Sequence, residues 1–266
     1  MKKILSPILF GVFTSALQAQ ELAVVGCPTI FEQTSYAARL AYLQEPSVGL
    51  EVNNRFVKEL NVLKFLGVCP FPSGTWSGMY KTYGYLSYRE HGFALGLSKA
   101  LTPRWAFGLQ AFPKIETFGT GYEPLFSMDL NATSFVKLSQ DLYEDLELNI
   151  PVRVSPNTRN DAPLQSFLRM GLSYVFSKQC QTAVSVKQTL PYKTEVRLQL
   201  CYAPVSTLTF FGNAGSSSDC GFGLQYVFGQ MSCRFQTQYR PIVGYSTTVG
   251  LSYQFKTSQK FEHHDF

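Results

Sequence analysis

Much of what this chain is follows from what it lacks. After residue 20 no stretch reaches the ~18 to 20 uninterrupted apolar residues that a membrane-crossing helix needs, so any passage through a bilayer must be made by strands. Histidine is scarce: His91, His263 and His264 are the three in the sequence. The six cysteines (Cys27, Cys69, Cys180, Cys201, Cys220 and Cys233) show no CxxC or other metal-ligand spacing, which argues against a zinc site. A strong charge of one sign is missing too. The 23 Lys and Arg stand against 18 Asp and Glu, and without Lys2 and Lys3 the balance is 21 minus 18, or +3. That is too weak and dispersed for a nucleic-acid surface. Neither a nucleic-acid partner nor a cofactor is expected.

What is present begins with a leader. Residues 1–20, MKKILSPILFGVFTSALQAQ, carry two lysines, an apolar stretch from Ile4 to Leu17, and then Ala19-Gln20. This is the pattern of a secretory signal peptide cleaved after Ala19 or Gln20. A lipobox at Val24-Val25-Gly26-Cys27 fits less well, because Gln18, Gln20 and Glu21 separate Cys27 from the apolar stretch. Residues 21–46 form an N-terminal segment with a short helix-prone piece at 36–43, residues 47–256 read as strand and hairpin, and residues 257–266 are a polar tail. In that tail Glu262-His263-His264-Asp265 offers metal-ligand types with no fold to set their geometry, so no metal site is expected.

The strands show a period of two. GLSYVF at 171–176 nearly recurs as GLQYVF at 223–228 and GLSYQF at 250–255, each with Leu, Tyr and Phe on alternate positions. Elsewhere Val196, Leu198, Leu200 and Tyr202 alternate with Glu195, Arg197, Gln199 and Cys201, and Leu146, Leu148, Ile150 and Val152 with Asp145, Glu147, Asn149 and Arg153. About fourteen such strands fit between residues 48 and 256. Their connections alternate between tight (71–74, 101–103, 177–179, 229–230) and long (118–124, 155–164, 215–219), which gives one rim of turns and one of loops. Both features predict an all-β fold, an antiparallel transmembrane β-barrel with lipid outside and a polar lumen. A long soluble β-protein would alternate as well, but its polar face favours lysine and short polar residues, whereas Arg, Gln and Glu dominate here. Loop parity puts the 155–164 loop outside the cell and the Gly229-Gln230 turn in the periplasm.

The lumen-lining candidates are Asp145, Glu147, Arg153, Arg169, Lys187, Glu195, Arg197, Arg234 and Arg240. They would pair across neighbouring strands or line a polar conduit, and such charges disfavour an apolar ligand. Cys180 and Cys201 sit near the ends of consecutive strands, with position 180 opposite roughly 202. A disulfide between them is feasible if both face the lumen and not if one faces lipid. No catalytic residue is expected. A hydrolase would need His91, beside Glu90 and Ser87, as its base, but Arg89-Glu-His-Gly92 also reads as a polar hairpin turn.

The stretches Ala41-Tyr-Leu-Gln-Glu-Pro-Ser-Val-Gly-Leu-Glu-Val-Asn-Asn-Arg-Phe-Val-Lys-Glu-Leu60, Phe71-Pro-Ser-Gly-Thr-Trp76 and Tyr83-Gly-Tyr-Leu-Ser-Tyr-Arg-Glu90 resemble the PorV/PorQ-type outer-membrane barrels of Bacteroidetes, relatives of the FadL-type barrels. The resemblance implies fourteen strands, an outer-membrane location, and a binding or secretion-accessory role with type IX secretion components or exported cargo as partners. Relatives carry a longer segment before the barrel, so the short 36–45 piece is not expected to act as a plug. GLSYQF in the last strand resembles the signal read by the barrel-assembly machinery, which with outer-membrane lipid completes the expected partners. The alternative function is a transporter or porin for small solutes.

Overall fold

The structure, a computed structural model, describes Ile30 and residues 36–55, 61–85, 88–118, 123–153, 165–190, 193–241 and 244–256, except for the side chains of Arg55, Tyr85 and Arg153. The leader, Cys27, the 155–164 loop and the C-terminal tail lie outside the described residues.

Fourteen strands follow one another: β1 Ser47–Arg55, β2 Val62–Phe71, β3 Gly74–Tyr85, β4 Tyr88–Thr102, β5 Trp105–Phe118, β6 Leu125–Lys137, β7 Leu142–Arg153, β8 Phe167–Ser177, β9 Cys180–Thr189, β10 Lys193–Val205, β11 Leu208–Gly215, β12 Cys220–Phe228, β13 Met231–Arg240 and β14 Gly244–Gln254. Each pairs antiparallel with its chain neighbours. β1 closes on β14 from Ser47 opposite Gln254 to Arg55 opposite Ser246. Closure leaves no strand edge unpaired, which is what hydrocarbon demands of a spanning sheet, since no water is there to satisfy free N–H and C=O groups. No described helix is long and apolar enough to cross a membrane.

Burial is inverted relative to a water-soluble protein. Leu95 is 69% exposed and Phe222 66%, whereas Asp145, Glu147 and Arg234 are 2–3% exposed. Although β2 also turns Val62, Leu66 and Val68 inward, most strands turn an apolar side outward and a polar side toward the enclosed lumen, the arrangement of a barrel solvated by lipid. The three repeated hexapeptides obey it. In β8, Leu172, Tyr174 and Phe176 point outward, as do Leu224, Tyr226 and Phe228 in β12. Leu251 and Phe255 do the same at the end of the chain's last strand. All three copies run toward the same rim and end in an aromatic residue there, where aromatic girdles meet the membrane interface.

That rim holds the start of β1, the end of β14 and the tight connections 72–73, 103–104, 178–179, 206–207 and 229–230. The wider connections, 56–61, 119–124 and 154–166 among them, are on the opposite rim. The Arg89–Gly92 run, read from sequence as a hairpin turn, is instead inside β4. The connection lies earlier, at 86–87. Gly92 owes its place to packing: a Cβ there would strike the Phe112 ring, which reaches across from β5.

Candidate functional site

The described part of the N-terminal segment, residues 36–46, begins inside the barrel, where so short a piece is not expected to act as a plug. Residues Ala37–Tyr42 form a 3-10 helix with Ala37, Ala38 and Leu40 buried against β3 to β6. Gly108 permits this close approach, since a Cβ on it would stand 2.7 Å from the Ala37 carbonyl carbon. The Ala38 N–H donates to Thr133 Oγ1 at 2.8 Å, and that hydroxyl donates to Gly108 O at 3.2 Å. Leu40 joins Ile30, Leu66 and Val68 in an apolar cluster, while Tyr42 meets Phe135 edge-on at 5.6 Å. So a helix too short to be stable alone is held by wall contacts.

Two arginines lock this segment to the wall. Arg39 grips Asp145 in a two-pronged pair, with Nε donating to Oδ1 at 2.6 Å and Nη2 to Oδ2; both side chains are nearly excluded from solvent. Arg169 Nη1 donates to Tyr36 Oη at 3.1 Å and lies 3.2 Å from Glu147 Oε2. Burial raises the Tyr36 phenol above its ordinary pKa, against the opposing pull of Arg169, and keeps it neutral.

Around these contacts the register stacks lumen residues in rows. One row runs Thr133, Glu147, Arg169, Lys187, Glu195 across β6 to β10. The next holds Asp145, Gly171, Ser185 and Arg197. Lys187 stands 4.1 Å from the centre of the Phe167 ring, Glu195 takes Lys193 at 2.6 Å near the open rim, and Arg197 reaches Asp219 at 2.7 Å. Arg234, across the lumen, lies over the Phe211 ring at 4.4 Å and donates to Gln236 at 2.6 Å. Arg240 is exposed at the loop rim beside Gln238. Arg153 ends β7 opposite Ser127, with its side chain outside the description.

Sequence reasoning missed further members of the lumen: Glu51 with Lys64 at 2.6 Å, Lys81 with Glu90 at 3.1 Å, and Lys114 with Asp129. The same alternation in β1 to β6 would have found them. Arg39 carried no such signal, because its partner is 106 residues away.

Two candidate readings, the possible disulfide and the alternative hydrolase base, fail on geometry. Cys180 stands opposite Tyr202, and Cys201 opposite Gln181. Neighbouring positions of one strand point to opposite faces, so Cys180 faces outward and Cys201 faces the lumen. The predicted disulfide is therefore corrected. His91, the base of the hydrolase reading, also points outward, its Nδ1 2.9 Å from Tyr80 Oη, while Glu90 points inward to Lys81. The imidazole and the carboxylate thus never meet.

Among solved structures, a deltaS2 mutant of the TodX monoaromatic hydrocarbon channel superposes with a TM-score of 0.65 at 10% identity, over 83% of this chain and 93% of that one. The CymD monoaromatic hydrocarbon channel gives 0.64 at 10% identity, over 91% and 94%. The Acinetobacter baumannii outer membrane protein Omp33 gives 0.55 at 10% identity, over 79% and 98%. The fold is that of an outer-membrane β-barrel. No family model matches the sequence and no curated protein matches it. At this identity the likeness carries the architecture, and the chemistry of the lumen has to be argued from this chain's own residues.

Proposed function

We propose that this protein is an outer-membrane channel for small polar solutes, with its N-terminal segment occupying one wall of the lumen. The observation that carries this reading is the wall itself: a closed barrel of the fold used by channels, lined by carboxylates, guanidiniums, amides and hydroxyls. A polar solute exchanges its hydration for these groups at little cost, whereas an apolar one would have to displace water from charges that need it. The lumen therefore sets this chain apart from TodX and CymD, whose names assign them hydrocarbons. Export by the 1–20 leader, insertion by the barrel-assembly machinery and an outward loop rim complete the proposal.

Single-channel recording of the purified, reconstituted protein tests it. Steady conductance is expected, rising in an Arg39→Ala variant that frees the segment from Asp145. Silence of both proteins would sink the channel reading. It would favour the second one, a non-conducting binding or secretion-accessory barrel of the PorV/PorQ type, which the occupied lumen and the sequence resemblance support.

A further inference from the structure

The basic side chains of the lumen differ in their surroundings from a pair on the outer wall. Those in the lumen have anions or ring faces arranged for them: Lys64 stands directly across from Glu51, and Arg169 from Glu147. At the loop end of the outward face, Arg89 and His91 have no carboxylate beside them among the described residues. Arg89 is flanked by Gly84 on β3 and Thr117 on β5, and His91 by Thr82 and Ile115. The Arg89 guanidinium is exposed and makes no ion pair among the described residues.

Their height on the wall is equally specific. From the turn rim upward, the outward positions of β4 read Leu101, Lys99, Leu97, Leu95, Phe93, His91, Arg89, so His91 and Arg89 sit one and two pleats beyond the last apolar side chain of this strand. That is the level where an apolar band gives way to headgroups. Beside them is a cavity of about 280 Å³ at the end of β1 to β4, whose lining takes Val52, Leu63, Thr82, Gly84, Arg89 and His91 from the outward face and Asn61, Val62 and Tyr83 besides. Val52 and Leu63 stand in one row with Thr82 and His91, so the cavity has apolar carbons at one side and Arg89 and His91 at the other. Gly84 shapes it: with φ at +122° it adopts a conformation that side chains avoid, and a Cβ there would collide with the Tyr88 backbone. The Tyr80 hydroxyl stands 2.9 Å from His91 Nδ1 and holds the imidazole on this face.

We propose that this patch binds the phosphorylated headgroup of an outer-leaflet glycolipid of the lipid A class. Arg89 and a ring N–H of His91 donate to one phosphate, and Val52 and Leu63 beside them and Phe93 below pack against the acyl chains. Charge-assisted hydrogen bonds to phosphate suit a guanidinium to which the described residues of the wall offer no carboxylate. The site is independent of what passes through the lumen, and it requires only that the loop rim face the cell surface.

The test reconstitutes the full chain in phosphatidylcholine vesicles with bisphosphorylated lipid A, dephosphorylated lipid A or phosphatidylglycerol. The lipid retained after mild detergent extraction is then weighed by mass spectrometry of the intact protein. Wild type is expected to retain bisphosphorylated lipid A roughly tenfold better than an Arg89→Gln/His91→Gln variant, as befits the loss of hydrogen bonds to a charged group. Heat-modifiable gel migration checks that the variant is folded. Equal retention by folded wild type and variant would overturn the site. The wild type alone also decides: retention of dephosphorylated lipid A equal to the phosphorylated form would remove the role of phosphate. Equal retention of phosphatidylglycerol would reduce the patch to a general anion contact and remove the glycolipid.

Discussion

The two faces of β10 share one backbone and obey opposite rules. Outward, Val196, Leu198, Leu200 and Tyr202 are each more than two-fifths exposed. Inward, Cys201 is buried, Arg197 is tied to Asp219, and Glu195 to Lys193. The outward side chains need only be apolar, since fluid lipid conforms to whatever shape they present. The inward ones must find specific partners, because a charge or amide held in the lumen without one is costly. Substitutions should therefore be read by face before they are read by chemistry.

The sharpest break of this contrast is Asp145→Ala. It strands Arg39 inside the barrel without its carboxylate, and the loss of one member of a buried pair costs about 3 to 5 kcal/mol. Urea unfolding in lipid vesicles should show that loss, and a double Arg39→Met/Asp145→Leu variant should regain much of it. Wild-type stability in the single variant would mean that the pair does not hold the segment. Next in size is the charge-on-lipid comparison. Leu198→Arg should lose roughly 2 to 4 kcal/mol near the bilayer centre, whereas Gln199→Arg one residue on should assemble normally, because the lumen can hydrate it. Equal folding yields would reverse the assigned faces.

Glycines make a subtler version of the same comparison. Gly92→Val would drive a side chain into Phe112 inside the lumen, an overpacking that costs about 1 to 3 kcal/mol. Gly78→Val on the outward face meets nothing within 4 Å and should leave stability unchanged. The smallest effect expected is none: reductant should not shift the unfolding midpoint of wild type. Cys180 in the folded barrel should react with a membrane-soluble maleimide, and Cys201 only after unfolding. A reductant-sensitive midpoint would restore the disulfide.

Much of this barrel was legible because a strand's side-chain period is two and lipid rewards strict alternation. The face assignments in β7 and β10, the outward Leu, Tyr and Phe of the repeated hexapeptides, and the contrast between tight and wide rims are all local patterns. The failures were of another kind. Arg89-Glu-His-Gly92 looked like a turn because its glycine suggested positive φ, yet that glycine exists to admit Phe112 from the next strand. The Cys180 register was legible to within a residue, and one residue is the difference between lipid and lumen.

Alternation and connection length thus determined the sheet, the strand count and which side faces lipid, since each depends on neighbours in the chain. Only the closed structure decided what fills the lumen. Arg39 finds Asp145, Ala38 finds Thr133 and Leu40 finds Leu66 through a space that exists only once β1 has met β14. It likewise decided that Arg89 and His91 would stand together on the outer wall without a carboxylate between them. Their flanking residues come from β3 and β5, and which residues stand beside them depends on inter-strand register rather than on any periodicity within β4.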